Sequence, residues 1–470
     1  MNVHSTMRGM NQIVFATCLI FLVSITIIWK NASEGRISVS KAFLSRPGYQ
    51  QLRTHLLMPA NKANSGLCRT LTSAMINDYP PPVLLNWGLN EGDPAMNGYD
   101  MTTGKIWGVL KYLRSLPREA ENDIVITIDA HDVVFQLPLP ILLSRYHGIN
   151  NRVNERLARQ HGLDVVKQKN ITQTIIMGAE KYCWPLDHRH PACYAVPPSP
   201  LRPDAYGKDT DKSTETNRPR WLNSGTIVGP VRDMRFLYEW VHLLWRAYYT
   251  RGGDQDYFSY IYGMQELGRQ KLRGTHDWVF GFNESFDEKD FVPTHLPVEH
   301  TDYHLGLDLG SEIFQAVNKA WEDLSPVVHE NNTLVDERDR VHGTASIYQE
   351  HFRYAQDLSE IASPFQDLKG TEAAETEHLL NINWRGVPLF TNFNSRSIPV
   401  AMHHNGDKKK MEEWWHLLWW KGRGRDMKNA KERKMGKSGF WISTDSGHRL
   451  TWDQICADHQ ASVFVQKEST

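Results

Sequence analysis

The spacing of apolar residues from position 54 onward predicts strands that alternate with helices. Residues 54–60 and 82–87 are short apolar runs of strand length, and residues 64–76 between them carry apolar side chains at helical spacing. Residues 105–116 have one apolar face, which predicts a second helix. Residues 124–129 are nearly all apolar and β-branched, as in a strand buried on both faces of a parallel sheet. This order is typical of the start of a nucleotide-binding sheet.

The alternation continues further along the chain. Residues 174–179 and 220–229 predict two more strands, and helices are expected at 234–249 and from Asp254 onward. The second of these strands contains the step Asn-Ser-Gly at 223–225, and a glycine inside a strand often marks the close approach of a ligand. We therefore predict an α/β fold with a mostly parallel sheet flanked by helices.

Two acids stand where the most apolar strand ends. Asp129 and Asp132 follow residues 124–128, and ligands of open α/β sheets bind at the carboxyl ends of the strands. Two carboxylates this close together repel each other, so the pattern favours a divalent cation with oxygen ligands. The chain has no G-x-G-x-x-G after a strand, so nucleotide phosphates would need such a metal. The alternative is that Asp129 caps a turn and Asp132 is solvated.

Composition narrows the class of protein. The formal net charge of −1 argues against nucleic acid as a partner, and a mean hydropathy of −0.50 excludes a protein with many membrane spans. Residues 13–29 carry no charge and predict one N-terminal transmembrane helix, whereas a cleaved signal peptide is the competing interpretation. The body that follows the span would then lie in the lumen of the secretory pathway.

Cysteines and glycosylation triplets bear on the same question. Acceptor triplets occur at Asn31, Asn170, Asn283 and Asn331, all after the predicted span. The body has four cysteines, an even number that is compatible with two disulfides. Cys183 and Cys193 bracket a proline-rich loop and form the expected local pair, which leaves Cys68 with Cys456. The alternative is four free thiols in a cytosolic enzyme.

Seven motifs in order resemble one family. The chain is similar, over roughly residues 52–420, to the glycosyltransferase domain of the procollagen lysyl hydroxylase/glycosyltransferase enzymes and related GT-A transferases, including a group of fungal membrane proteins. The resembling segments are Gly104-Lys105, residues 129–133 (Asp-Ala-His-Asp-Val), residues 178–185 (Gly-Ala-Glu-Lys-Tyr-Cys-Trp-Pro), residues 220–225 (Arg-Trp-Leu-Asn-Ser-Gly), residues 254–258 (Asp-Gln-Asp-Tyr-Phe), residues 305–315 and residues 399–409. The resemblance implies a GT-A-like fold.

The resemblance also implies a metal site. In the family the two strand-end acids hold Mn²⁺, which matches Asp129 and Asp132, and Mg²⁺ is the alternative ion. A histidine before an Asn-Gly step is the third ligand, which matches His403, with His404 as the adjacent alternative. Imidazole is a good ligand for Mn²⁺. We expect the His403 ring to lie within about 6 Å of one of the two carboxylates, close enough for one ion to touch both.

Other family positions carry over to the nucleotide sugar. Asn223, Gln255, Trp184, Asn405 and Gly406 match residues that bind the donor or line the sugar pocket. Two lysines, Lys105 and Lys409, are candidates for the diphosphate. Asp254 is the first candidate for a base or sugar clamp, and Glu180 is the second.

The predicted domains are a cytosolic tail (1–12), the anchor (13–29), a stem (30–51), the GT-A domain (52–420), a basic linker (421–437) and a C-terminal segment (438–470). The chain has no hydroxylase domain, so hydroxylation is not implied and collagen need not be the acceptor. We expect a transferase that moves a hexose from a nucleotide sugar, a UDP-hexose, to a glycan or protein acceptor in the Golgi or ER membrane. The alternatives are an inactive sugar-binding or scaffolding protein with the same fold, and an enzyme that hydrolyses the nucleotide sugar.

Overall fold

The computed structural model describes residues 52–184, 187–248, 252–278, 301–420, 422–436 and 440–464. The predicted tail, anchor and stem lie outside these residues. Within the described part of the chain, no helix has the length and apolar character needed to cross a membrane. The residues from Arg53 onward form one compact unit.

The strands of this unit are short and lie in two sheets. In chain order they are β1 (Thr54–Pro59), β2 (Val83–Leu85), β3 (Ile124–Ile128), β4 (Val133–Phe135), β5 (Ile175–Glu180), β6 (Trp221–Pro230), β7 (Leu305–Asp308), β8 (Phe314–Ala316), β9 (Leu324–Val328), β10 (Pro388–Asn392), β11 (Ala401–His403), β12 (Ile442–Thr444) and β13 (Arg449–Leu450).

The main sheet has eleven strands and is mostly parallel, as predicted. Its order is β13-β12-β2-β1-β3-β6-β5-β8-β11-β4, and β7 pairs with β5 beside this path. Strand β6 runs antiparallel to both of its neighbours, β3 and β5, and β4 runs antiparallel to β11. Strands β9 and β10 form the separate two-stranded sheet.

Helices cover the sheet. They are α1 (Ser65–Ile76), α2 (Gly104–Ser115), α3 (Leu139–His161), α4 (Leu163–Gln168), α5 (Pro191–Tyr194), α6 (Val231–Ala247), α7 (Asp254–Arg273), α8 (Asn332–Val341), α9 (Thr344–Tyr348), α10 (Glu372–Thr376), α11 (Lys408–Trp415), α12 (Gly424–Met435), α13 (Trp452–Cys456) and α14 (Gln460–Val463). Asn64, where the sequence predicts the first helix to begin, is the N-cap of α1, because its side chain accepts the Leu67 N–H.

The sheet separates two apolar cores. Every residue of β3 is buried, and its side chains alternate: Ile126 packs into the core shared with α1, and Val125 packs into the core shared with α2, α6 and α7. This alternation is the reason for the uninterrupted apolar run in the sequence, since both faces of the strand are covered.

The C-terminal segment returns to the start of the unit. Strand β12 pairs in parallel with β2, and a disulfide joins Cys68 of α1 to Cys456 of α13. The second disulfide joins Cys183 to Cys193. Both predicted cysteine pairs are therefore confirmed.

The stretch predicted as a basic linker, 421–437, is helical over most of its described residues. The described residues of this stretch, 422–436, contain α12, which packs against α1 as part of the same compact unit. Lys428 and Lys431 are buried there, because Lys428 pairs with Asp453 and Lys431 pairs with acids from other elements. A basic composition indicated a solvated segment, but long lysine stems can be buried when their charged ends are paired.

Candidate metal centre

The turn between β3 and β4 carries the acidic pair. Only residues 129–132 separate these two strands along the chain, although four other strands lie between them in the order of the sheet. The sheet must therefore curl, so that β11, the neighbour of β4, comes close to the end of β3. The Asp129 N–H donates to the Gly225 carbonyl at 2.8 Å, which ties the turn to β6.

His403 ends β11 and points at both acids. Its Nε2 lies 3.5 Å from Oδ2 of Asp129 and 3.4 Å from Oδ1 of Asp132. Among the described residues, these three side chains form a cluster whose ligand atoms all lie within 4.8 Å of one another. One ion at the usual ligand distances of about 2.0–2.5 Å can touch all three atoms. The predicted proximity of His403 to the acids is confirmed, and this buried group can bind a metal ion.

The adjacent histidine has a different environment. The His404 ring lies 5.9 Å from the rings of both Trp321 and Trp414, and its backbone N–H donates to the Asp132 carbonyl. Burial lowers the pKa of His404 to about 3, so this imidazole is neutral. The geometry favours His403 over His404 as the third ligand.

In each of the two carboxylates, one oxygen contacts a lysine and the other oxygen faces His403. Lys105 Nζ lies 2.8 Å from Oδ1 of Asp129, and Lys408 Nζ lies 2.5 Å from Oδ2 of Asp132. The remaining oxygens face His403. Oδ1 of Asp132 is buried and accepts no hydrogen bond from the described residues, which is costly unless a cation completes it. The donor set of two carboxylate oxygens and one imidazole nitrogen is suited to a divalent metal ion.

The electrostatics of the group favour positive charge at the same point. Burial alone lowers the pKa of His403, but Asp132 and Asp129 outweigh it and raise the pKa to about 9. Burial likewise raises the pKa of Asp129, but Lys105 and His403 hold it well below its usual range. The two acids therefore stay ionised and attract a cation.

Glu180 lies at the carboxyl end of β5, beside this group. Its carboxyl accepts N–H groups from three amides, Gln255 at 2.7 Å, Asn405 at 3.0 Å and Asn223 at 3.4 Å. Burial outweighs these hydrogen bonds and raises the pKa of Glu180 to about 8. Glu180 is therefore mostly protonated at neutral pH.

The structure brings most of the other predicted residues to the same end of the sheet. Asp254 is the first residue of α7 and forms an ion pair with Lys105 at 2.8 Å. Burial raises the pKa of Asp254 even though Lys105 lowers it. Trp184 is 58 % exposed, and its carbonyl accepts a 2.9 Å hydrogen bond from Gln255, which also binds Glu180.

The Asn-Gly step after the histidines is held by the neighbouring loop. Asn405 Oδ1 accepts the N–H groups of Val317 at 3.1 Å and Asn318 at 3.2 Å. Gly406 has a φ of 141°, and a Cβ there would lie 3.0 Å from the Asn318 side chain. Just after His403 the described backbone has a bend at Gly406, without the closing hydrogen bond of the tight turn that the Asn-Gly step predicts.

Lys409 is exposed, and within the described residues its side chain makes no hydrogen bond or ion pair. Besides Lys105, the lysine that contacts the acidic pair is Lys408, the neighbour of Lys409, and the sequence-based prediction missed it. The only signal was the adjacent run of three lysines, and the start of α11 at Lys408 decides which of them faces Asp132.

A cavity of about 280 Å³ opens beside the acidic pair. Residues that follow β1, β2 and β3 and residues of the segment before α2 line it, among them Asn61, Asn86, Met101 and Thr102, together with Asp254 of α7. It lies at the carboxyl ends of parallel strands, where α/β sheets bind their ligands.

Searches of protein-family models and of curated proteins find no significant match to this chain.

Proposed function

We propose that this protein is a metal-dependent glycosyltransferase that moves a hexose from a nucleotide sugar, a UDP-hexose, to a glycan or glycoprotein acceptor. The observation that carries the proposal is the convergence of Asp129, Asp132 and His403 on one point beside the cavity. The motif order that resembles GT-A transferases supports the same reaction, and so does the mostly parallel sheet. The body acts in the lumen of the Golgi or ER, on a single-pass anchor.

Asp129, Asp132 and His403 would hold Mn²⁺ or Mg²⁺. When bound, the ion supplies a Lewis acid that neutralises the negative charge of the departing nucleoside diphosphate. The cavity beside the acids takes the nucleoside part of the donor, because it is the space that adjoins the metal group at the strand ends.

The lysines take separate roles in this proposal. Lys105 is only 8 % exposed, and its ammonium group contacts Asp129, Asp254 and the Ser224 carbonyl. Its donors are engaged by protein groups, so Lys105 neutralises the acids. Lys409 is exposed on α11 and free to reach a phosphate.

Two acids can act on the sugars. Asp254 is the first candidate for the base or for a clamp on the donor, because it adjoins both the cavity and Lys105. Glu180 is the second candidate. Its protonated carboxyl can donate a hydrogen bond to a sugar hydroxyl at neutral pH.

The test is an assay of nucleotide release. Purified full-length protein is incubated with a panel of UDP- and GDP-hexoses and Mn²⁺, with and without acceptor glycans. We expect release from one donor, stopped by EDTA and by Asp129→Asn or Asp132→Asn. Glu413→Gln is the control variant, since Glu413 is an acid of α11 whose one ion pair within the described residues is with Lys410.

The products separate the alternatives. Transfer gives a glycosylated acceptor, whereas hydrolysis gives free hexose with or without acceptor. Donor binding without release would favour the inactive sugar-binding protein.

A further inference from the structure

The Asn-Ser-Gly step of β6 lies directly against His403. Asn223 is only 2 % exposed, and its Oδ1 lies 2.7 Å from Nδ1 of His403. The orientation of the Asn223 amide follows from its other neighbours. Oδ1 accepts the Gly225 N–H at 3.2 Å, while Nδ2 faces acceptor oxygens of Glu180 and Gln255. An amide oxygen can only accept, so Nδ1 of His403 must be the donor.

This hydrogen bond decides which nitrogen of His403 can bind a metal ion. With the proton on Nδ1, a neutral imidazole has its lone pair on Nε2, the atom that faces Asp129 and Asp132. Histidines that bind metals commonly donate their second N–H to such a partner, which fixes both the tautomer and the ring direction.

Gly225 leaves the space that the ring occupies. A Cβ on Gly225 would lie 2.0 Å from Cε1 of His403 and 2.5 Å from Nδ1, both far inside contact distance. Because the His403 ring is buried between β6 and the acidic turn, it cannot shift to make space for a side chain at position 225. Asn223 thus holds one edge of the ring, and Gly225 accommodates its face.

The same step also orients the acidic side of the site. The Ser224 carbonyl accepts a 3.0 Å hydrogen bond from Lys105, which pairs with Asp129, and the Gly225 carbonyl accepts the Asp129 N–H. Three consecutive residues of one strand therefore fix both a carboxylate and the imidazole.

We infer that residues 223–225 form a cradle for the metal site and that Asn223 is a positioning residue for His403. The inference rests on the metal-binding part of the proposed function and gives Asn223 a task other than contact with the sugar. The Asn-Ser-Gly order follows from it, since the first residue must accept an N–H and the third must lack a side chain.

The experiment measures Mn²⁺ affinity of the full-length protein without nucleotide, by titration with detection of free Mn²⁺. Asn223→Leu keeps the approximate shape but cannot accept the Nδ1 proton, so we expect binding to weaken about 10- to 100-fold. Asn223→Asp can still accept that proton, and its affinity should stay within about threefold of wild type. In a His403→Ala background, Asn223→Leu should cause no further loss, because the two residues act as one unit.

Asn394→Leu is the matched control. Asn394 is also buried, but its side chain bonds the Ala205 carbonyl, and this variant should bind Mn²⁺ like the wild type. Thermal unfolding of every variant reports whether the fold is retained. If the wild type binds Mn²⁺ and Asn223→Leu binds it equally tightly, the inference about Asn223 is overturned but the proposed function is not. The same holds if Asn223→Asp binds Mn²⁺ as weakly as Asn223→Leu. A wild-type protein that does not bind Mn²⁺ would overturn the metal-dependent function and the cradle together.

Discussion

The ammonium group of Lys408 contacts Asp132 through Oδ2, the carboxylate oxygen that faces away from His403. Lys408 is therefore a counter-ion at the edge of the candidate metal site, and at 60 % exposure its side chain has access to solvent. It neutralises Asp132, and it would also repel a divalent ion bound between Asp132 and His403.

We expect Lys408→Met to bind Mn²⁺ about threefold more tightly than the wild type, because a repulsive charge at a partly screened site is removed. Lys409→Met is the matched control and should leave the affinity for the metal alone unchanged, since that side chain makes no contact in the site. Titration of each variant with Mn²⁺ in the absence of nucleotide checks both statements. Weaker binding by Lys408→Met would mean that its orientation of Asp132 matters more than its charge.

Activity should depend on both acids. Asp129→Asn and Asp132→Asn each remove one charge from a ligand set of three, and we expect the rate of nucleotide release to fall on the order of 10²-fold or more. Steady-state assays with Mn²⁺ in excess measure this loss. Either variant with full activity in EDTA would rule out a role for the metal.

Acid should destabilise the fold through His329. This ring is buried against Thr391, and burial together with Arg385 lowers its pKa to about 4. Because the folded state excludes the proton that the unfolded chain binds below a pKa of about 6.5, stability is lost as the pH falls from 6.5 toward 4.

The unfolding free energy of the wild type should fall between pH 7 and pH 5. For His329→Gln we expect this fall to be smaller by about 2 kcal/mol. Urea unfolding of both proteins at the two pH values gives the comparison. Equal losses in the two proteins would show that His329 is not a source of acid sensitivity.

Glycosylation tests the compartment. Asn331 is exposed and its Oδ1 caps α8, so its amide nitrogen is available for a glycan. Asn170 is also exposed, but its amide nitrogen bonds His304. Asn31 and Asn283 lie outside the described residues.

We expect endoglycosidase to increase the mobility of the expressed protein on a gel, and Asn331→Gln to abolish part of that shift. The four body cysteines should resist alkylation until a reductant is added, since they form two disulfides. An unshifted band with four reactive thiols would instead indicate a cytosolic body.

The local pattern of apolar residues was enough to predict individual strands and helices, but not how the strands pair. The run before Asp129 predicts β3 because each of its side chains is buried, and the spacing of Leu67 and Leu71 predicts α1 because both face one core. The pairing of β4 with β11 joins segments that are distant along the chain, and no local signal specifies it. The proximity of His403 to Asp129 was therefore expected from the resemblance and not from periodicity.

The failures have the same origin. Lys408 and Lys409 are adjacent residues of the same type, and the first turn of α11 places Lys408 against Asp132. The basic stretch that contains Lys428 and Lys431 predicts a solvated segment, whereas acids of other elements, Asp453 and Asp367, pair with these two lysines. A single sequence does not indicate which distant residues form ion pairs with its charged side chains.

The link between Cys68 and Cys456 has a consequence for biosynthesis. The two cysteines are 388 residues apart, so the ribosome makes almost the whole body before the thiol of Cys68 can meet its partner. Cys183 and Cys193 are only ten residues apart and can pair early. Any earlier bond between Cys68 and one of them would be a wrong pairing that must be undone. We therefore expect newly made chains to mature slowly, through mixed-disulfide intermediates resolved by an isomerase, with closure of the large loop as the last covalent step.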